Sequence, residues 1–224
     1  MREFRFLLTT VCRNRETVSA FILTLQLPLL MYRLVTTVFL FALVLSGVHE
    51  AFAQRSSSPR GEASTQIGEA WIIVDYGRPI LRGRTEIFGS GEEYGTMVTG
   101  TAPVWRAGAN KSTRLHTEIP LMIGNVEVAA GEYSVFVELD QGNWTFVLSS
   151  HEAKDSGRAP GDGLWGAYGY TSDKDVLRTS MAVSETAASA DQFTIGFFDV
   201  TDKGGVLSMM WENTTASVSF TVVQ

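Results

Sequence analysis

The chain has 224 residues, 45% of them hydrophobic, and a formal net charge of −6 from 18 basic and 24 acidic side chains. A field of that sign repels phosphate backbones, which excludes general nucleic-acid binding. The one cysteine, Cys12, rules out an intramolecular disulfide framework.

The first segment reads as an export signal. Arg33 gives a positive flank, residues 34–48 are almost wholly apolar, and Ala51-Phe52-Ala53 places small residues at the two positions a signal peptidase reads. The apolar run is about 15 residues, shorter than the ~20 a spanning helix needs. Residues 1–53 are therefore expected to be an N-terminal extension and cleaved signal peptide, with translation starting at Met1 or at Met31. The product is expected to be periplasmic or extracellular, with no stable membrane anchor. Without the leader's five basic and three acidic residues, 13 basic and 21 acidic ones remain, a net charge of −8. Cys12 leaves with the leader, so thiol chemistry is excluded from the product.

Residues 54–63, polar and containing Ser, Pro and Gly, read as a flexible lead-in. From there to the end one composition persists, so residues 64–224 are expected to form one domain. Its periodicity is two almost everywhere. Strands are expected at 70–76 and 113–119, and a short hairpin at 121–128 turns about Gly124-Asn125. Tyr133, Val135, Val137 and Leu139 alternate with polar or outward residues. Asp140-Gln141-Gly142-Asn143 then turns the chain into Trp144, Phe146 and Leu148. Another strand is expected at 175–183, then a short helical turn at 184–190. Phe193, Ile195 and Phe197 line one face of the next strand, which turns at residues 202–205 into 206–211. Residues 212–215 turn once more into a last strand at 216–222. About ten short strands with little helix point to an all-β antiparallel β-sandwich, jelly-roll-like. Phe197-Phe198 and Met209-Met210-Trp211 are apolar on both faces, so part of the sheet is expected to be covered twice.

Several segments occur in an informative order: Asp75-Tyr76-Gly77-Arg78-Pro79, Gly83-Arg84, Ile87-Phe88-Gly89 and Trp105-Arg106-Ala107-Gly108-Ala109-Asn110. They continue with Ala130-Gly131-Glu132-Tyr133-Ser134-Val135-Phe136, Trp144-Thr145, Trp165-Gly166-Ala167-Tyr168, Asp175-Val176-Leu177-Arg178 and Trp211-Glu212-Asn213-Thr214. In this the chain resembles the exported bacterial family catalogued as domain of unknown function 2911, over residues 64–223. The resemblance implies a secreted β-rich domain and supplies no activity, substrate or catalytic residue. The family pattern has almost nothing between Tyr94-Gly95 and Val104-Trp105, where this chain inserts residues 96–103.

Candidate chemistry rests on residue type and loop position. Arg78, Arg84, Arg106 and Arg178 sit beside turns or strand ends, and guanidinium forks converging on one mouth would bind carboxylate or phosphate. The plainer reading pairs each with a local carboxylate such as Asp75, Asp175 or Glu212, or with loop carbonyls. Trp105 and Asn110 read as a stacking platform and a polar contact, or as a core plug and a turn residue. Trp165 and Tyr168, flanked by small residues after a Gly/Pro loop, suit stacking on a sugar ring or close sheet packing. No metal or cofactor is expected: His116 and His151 lack ligand spacing, and no acidic loop matches a calcium signature. There is no Gly-x-Ser-x-Gly elbow. A carboxylate pair for glycoside cleavage could come from Glu132, Glu138, Asp199 or Glu212. The Asn-x-Ser/Thr triplets at Asn110, Asn143 and Asn213 read as turns.

The expected function is a non-catalytic module binding a small molecule or glycan, either saccharide or small anion. The alternatives are a polysaccharide or envelope hydrolase using carboxylates and a structural module meeting a protein partner.

Overall fold

The computed structural model describes residues 37 and 58–223; apart from residue 37, the leader lies outside the described residues, its cleavage motif included. Among the described residues no helix is long and apolar enough to cross a membrane. Alternating apolar and polar side chains produce ten strands: β1 (Arg60–Ile67), β2 (Ala70–Gly77), β3 (Thr113–Thr117), β4 (Leu121–Ile123), β5 (Val126–Val128), β6 (Gly131–Glu138), β7 (Thr145–Ser149), β8 (Asp175–Ser180), β9 (Ala182–Thr201) and β10 (Gly204–Val222). They form two antiparallel sheets, one ordered β1-β2-β3-β6-β7-β8 and the other β5-β4-β10-β9. The fold is an all-β sandwich.

Period-two burial fixes which face of each strand enters the core. On β2, Ile72, Val74 and Tyr76 are buried, while Trp71, Ile73 and Asp75 point the other way. Ile72, Leu115, Val135, Phe146 and Leu148 of the larger sheet meet Leu121, Ile123, Ile195, Leu207, Val218 and Phe220 of the smaller. Each such side chain, fully buried, contributes about 1.5–3 kcal/mol. The hairpin expected around Asp140–Asn143 forms, with Asn143 N donating to Asp140 O at 2.9 Å.

Three expectations change. First, the lead-in is partly strand: β1 begins at Arg60, whose guanidinium pairs with Asp75 and reaches Lys111 O. Backbone pairing with β2 supplies the order that composition alone did not suggest. Second, the double cover lies elsewhere. Phe198 is 44% exposed, whereas Phe136 and Val147 on the outer face of β6 and β7 pack under Val104, Leu164, Ala167 and Tyr170. The loop bearing Leu164 to Tyr170 thus gives the larger sheet a second, smaller core.

Third, residues 184–190 are not helical but belong to β9, and 212–215 do not separate two strands but lie inside β10. Pairing between the two runs through with bulges: Met210 faces Thr194, Glu212 faces Ala190 and Thr214 faces Glu185, leaving residues 186–189 and 191–193 on one strand and Trp211 and Asn213 on the other outside the register. Such bulges bend a ribbon sharply. Glu212 adopts φ 51° at this point, and the end of β10 comes back beside its beginning, Val222 N donating to Lys203 O at 2.9 Å. Gly204 permits that approach, since a Cβ there would collide with the Phe220 carbonyl. The change of direction expected at Glu212 therefore exists, as a corner within a paired ribbon.

Candidate functional site

At this corner the chain leaves a cleft of about 570 Å³. One wall is Val183, Ser184 and Glu185 of β9 with Glu212, Asn213 and Thr214 of β10. The other is a connection carrying Glu86, Phe88, Gly89, Ser90 and Tyr94, and Gln141 and Gly142 of the β6–β7 turn close the end. Two non-glycine residues in the left-handed region face each other across it, Glu86 at φ 53° and Glu212 at φ 51°. Such conformations cost on the order of 1–3 kcal/mol each and persist only where the surroundings impose them. Here the Glu212 carboxylate imposes them, accepting from Glu86 N at 2.6 Å and Ile87 N at 2.9 Å.

The cleft rests on a rigid aromatic hub. Phe88 is edge-on to Trp144 at 4.7 Å, to Trp105 at 5.7 Å and to Trp211 at 6.1 Å. Trp105 stacks on Trp211 with 12° between their planes. Tyr94 accepts from Trp144 Nε1 at 2.7 Å. Burial, reinforced by Asp140, holds its phenol above the ordinary value despite the opposing pull of Trp144, so at neutral pH it is an uncharged hydroxyl with its own proton to donate. Gln141 uses its carbonyl for Gly91 N at 3.0 Å, which turns its amide donors outward. Three glutamates and no lysine, arginine or histidine line the cleft.

The eight residues singled out by sequence do not converge. Arg78 braces β9, donating to Thr194 Oγ1 at 3.1 Å and Phe193 O at 3.4 Å. Arg84 donates to Leu81 O and Ile80 O, both at 2.9 Å, and lies 6.0 Å from the Trp211 ring. Arg178 sits at the other end of the larger sheet in a network with Asp175 at 2.9 Å, the Tyr170 hydroxyl at 3.1 Å and Glu138. Burial and its bond to Asp175 push the Tyr170 phenol up. Each of these three arginines thus has protein acceptors of its own. Trp105 is 1% exposed with its indole N–H on Gly108 O, a core plug and not a platform.

Arg106, Asn110, Trp165 and Tyr168 do come together. Ser112 Oγ donates to Gly166 O at 2.6 Å, tying the two segments. Arg106 Nη1 donates to Asn110 O at 3.3 Å, and its guanidinium lies 5.4 Å from the Tyr168 ring.

The candidate carboxylates are scattered. Glu132 pairs with Arg114 at 3.0 Å, whose hydrogen bond holds its carboxyl below the usual range. It lines a different depression, of about 420 Å³, with Lys111 and Glu152. Glu138 belongs to Arg178, Asp199 is exposed on β9 near the hairpin turn, and both oxygens of Glu212 are engaged. Among the described residues no group of three His, Cys, Asp or Glu is placed to hold a metal ion. His116 is exposed on β3, and His151 is buried with its ring on Thr171.

Sequence reasoning missed most of the cleft. Glu86, Tyr94, Gln141, Glu185 and Asn213 come from four separated stretches and share no local signature. The available signal lay in the segments Ile87-Phe88-Gly89 and Trp211-Glu212-Asn213-Thr214, which meet at the cleft floor and corner. A family model described as "Protein of unknown function (DUF2911)" matches residues 58–220. No curated protein and no solved structure matches the chain.

Proposed function

The chain belongs to the DUF2911 family, and on that premise we propose that it is an exported, non-catalytic binding module that takes a neutral saccharide in the corner cleft. The observation that carries the reading is the cleft itself, about 570 Å³ on an aromatic hub with hydrogen-bonding groups from three walls. Pockets of this size with a few placed polar groups are where small ligands bind. A saccharide presents many hydroxyls that both donate and accept. Glu86 and Glu185 supply acceptors, the Tyr94 hydroxyl and the Gln141 amide supply donors, and Ser90, Ser184, Asn213 and Thr214 supply both. Of the two ligand classes expected from sequence, a small anion fits this cleft poorly, because three glutamates without a lining cation repel it.

Hydrolysis finds less support. A glycosidase needs two carboxyl groups free to act across the scissile bond, about 5–9.5 Å apart. Of the carboxylates the sequence offered for this chemistry, Glu212 is occupied by two backbone N–H groups and Glu132 lines another depression with Arg114 against it, so a hydrolytic pair would have to be Glu86 and Glu185. Export rests on the leader motif alone.

The test is a thermal-shift and calorimetric screen of the purified protein against neutral oligosaccharides. A ligand at 100 times its Kd adds about 2.7 kcal/mol to stability. Binding that weakens about tenfold in Glu185→Ala, an exposed residue on the cleft wall, is the expected result. No shift with any neutral sugar, or binding indifferent to Glu185→Ala and Asn213→Ala, would overturn it. Release of shorter products from the same panel would move the assignment to a hydrolase.

A further inference from the structure

We propose that Arg106 and Tyr168 form a second binding site, separate from the cleft, for a carboxylate-bearing sugar ring of the uronic acid type. The starting point is how differently Arg106 is used from the other bonded cations. Arg60, Arg114, Arg178 and Lys111 each pair with a carboxylate, and Arg78 and Arg84 each direct two nitrogens to protein acceptors. Arg106 makes one hydrogen bond among the described residues, from Nη1 to Asn110 O, and pairs with no carboxylate. Its Nε and Nη2, the edge that grips a carboxylate with two parallel bonds, have no partner among the described residues.

The guanidinium is nevertheless held. Asn110, at φ 64°, directs its carbonyl at Nη1. Gly166, at φ 67°, lies against the guanidinium so closely that a Cβ there would come within 2.6 Å of Nη1 and 2.8 Å of Cζ. Only glycine serves both the backbone angle and that approach. The Tyr168 ring takes another side at 5.4 Å, and Tyr168 N donates to Trp165 O at 3.3 Å, closing the turn that presents the ring. A cation fixed in advance loses less freedom when it binds.

Tyr168 decides the class of ligand. At 54% exposed it is among the most open aromatic side chains described, and with the guanidinium over its ring, a pyranose that packs on the uncovered part of the ring brings its own carboxylate to the guanidinium edge. The sugar's C–H groups pack on the part of the tyrosine that the guanidinium leaves uncovered, and its carboxylate meets Nε and Nη2. A bare phosphate would use the arginine and not the tyrosine. Residues 54–224 as a whole, at a net charge of −8, offer no general attraction for anions.

The experiment is a titration of the protein with trigalacturonate, its methyl-esterified neutral counterpart and inorganic phosphate, at low and high salt. The expected result is binding of trigalacturonate that weakens with salt and falls about tenfold or more in Arg106→Gln, by about as much in Arg106→Lys, and several-fold in Tyr168→Ala. Arg158→Gln, which removes a charge from the neighbouring loop, leaves it unchanged. Failure of trigalacturonate to bind, equal binding of phosphate, or indifference to both Arg106→Gln and Tyr168→Ala would overturn the proposal. Tyr168 is exposed and Arg106 only half-buried, so unfolding midpoints matching the wild type establish that lost binding is not lost fold. Uronate binding without neutral-sugar binding would leave this site standing and the cleft reading refuted; the converse would do the opposite.

Discussion

The corner cleft and the Arg106 shelf are built on opposite plans. The walls of the cleft are continuous with the core: Phe88 and Trp211 belong both to the cleft's segments and to the aromatic hub, and Glu212 holds two strained backbones together. The shelf is an exposed tyrosine and a half-buried arginine on a loop, held by one carbonyl and one glycine. The cleft is braced by the core and would enclose a ligand, with no cation in its lining. The shelf has little enclosure and relies on one pinned charge. The practical consequence is that substitutions in the cleft's supports disturb folding and binding together, whereas substitutions in the shelf separate them.

The largest effect that sharpens this contrast is expected from Trp105→Ala. Removing a 1% exposed indole from the centre of the hub should destabilise the protein by about 3–5 kcal/mol in urea unfolding. A loss under about 1 kcal/mol would show that the hub is not a load shared by the cleft. Next comes Glu212→Ala, which leaves the N–H groups of Glu86 and Ile87 without their acceptor at a part-buried corner. Hydrogen bonds to a charged group contribute about 1.5–3 kcal/mol each, so a loss near 3 kcal/mol is expected, with Glu212→Gln intermediate. Tyr168→Ala should change stability by no more than about 0.5 kcal/mol. A large loss there would make the shelf another core brace and erase the distinction.

A smaller effect concerns pH. Arg114 lowers the Glu132 carboxyl below its ordinary value, so the pair's contribution is fully present above the unfolded carboxylate pKa and is lost as pH falls through the folded one. Glu132 is more than half exposed, so solvent screening keeps the effect slight. An NMR titration of Glu132 should show its midpoint rising toward the ordinary value in Arg114→Gln; an unchanged midpoint would contradict the assignment.

Much of the fold was legible because two-residue periodicity records which face is buried. The 133–148 hairpin shows this best, with alternating apolar residues on both sides of a four-residue polar turn. Residues 184–190 misled because Ser-Glu-Thr-Ala-Ala-Ser-Ala carries little β propensity; backbone pairing and bulging against β10, both non-local, place it in β9. The site was less legible for a related reason. Arg78 and Arg84 have the chemistry of ligand-binding residues, but their partners are mostly carbonyl oxygens, which every residue possesses and no sequence pattern marks. Trp165 and Tyr168 stood out for the small residues that flank them and Arg106 for its place beside a turn, and Gly166 is the small residue that lets the two segments approach. Glu86, Gln141 and Glu185 could not be grouped, since only the corner in β9 and β10 brings their segments together.

The central claim is that the corner cleft takes a neutral saccharide. Its most direct test is an amide chemical-shift map of the protein titrated with neutral oligosaccharides. The expected outcome is saturable shifts confined to Ser90, Tyr94, Gln141, Gly142, Glu185 and Asn213. Shifts absent throughout, or gathered around Arg106 and Tyr168 instead, would contradict it.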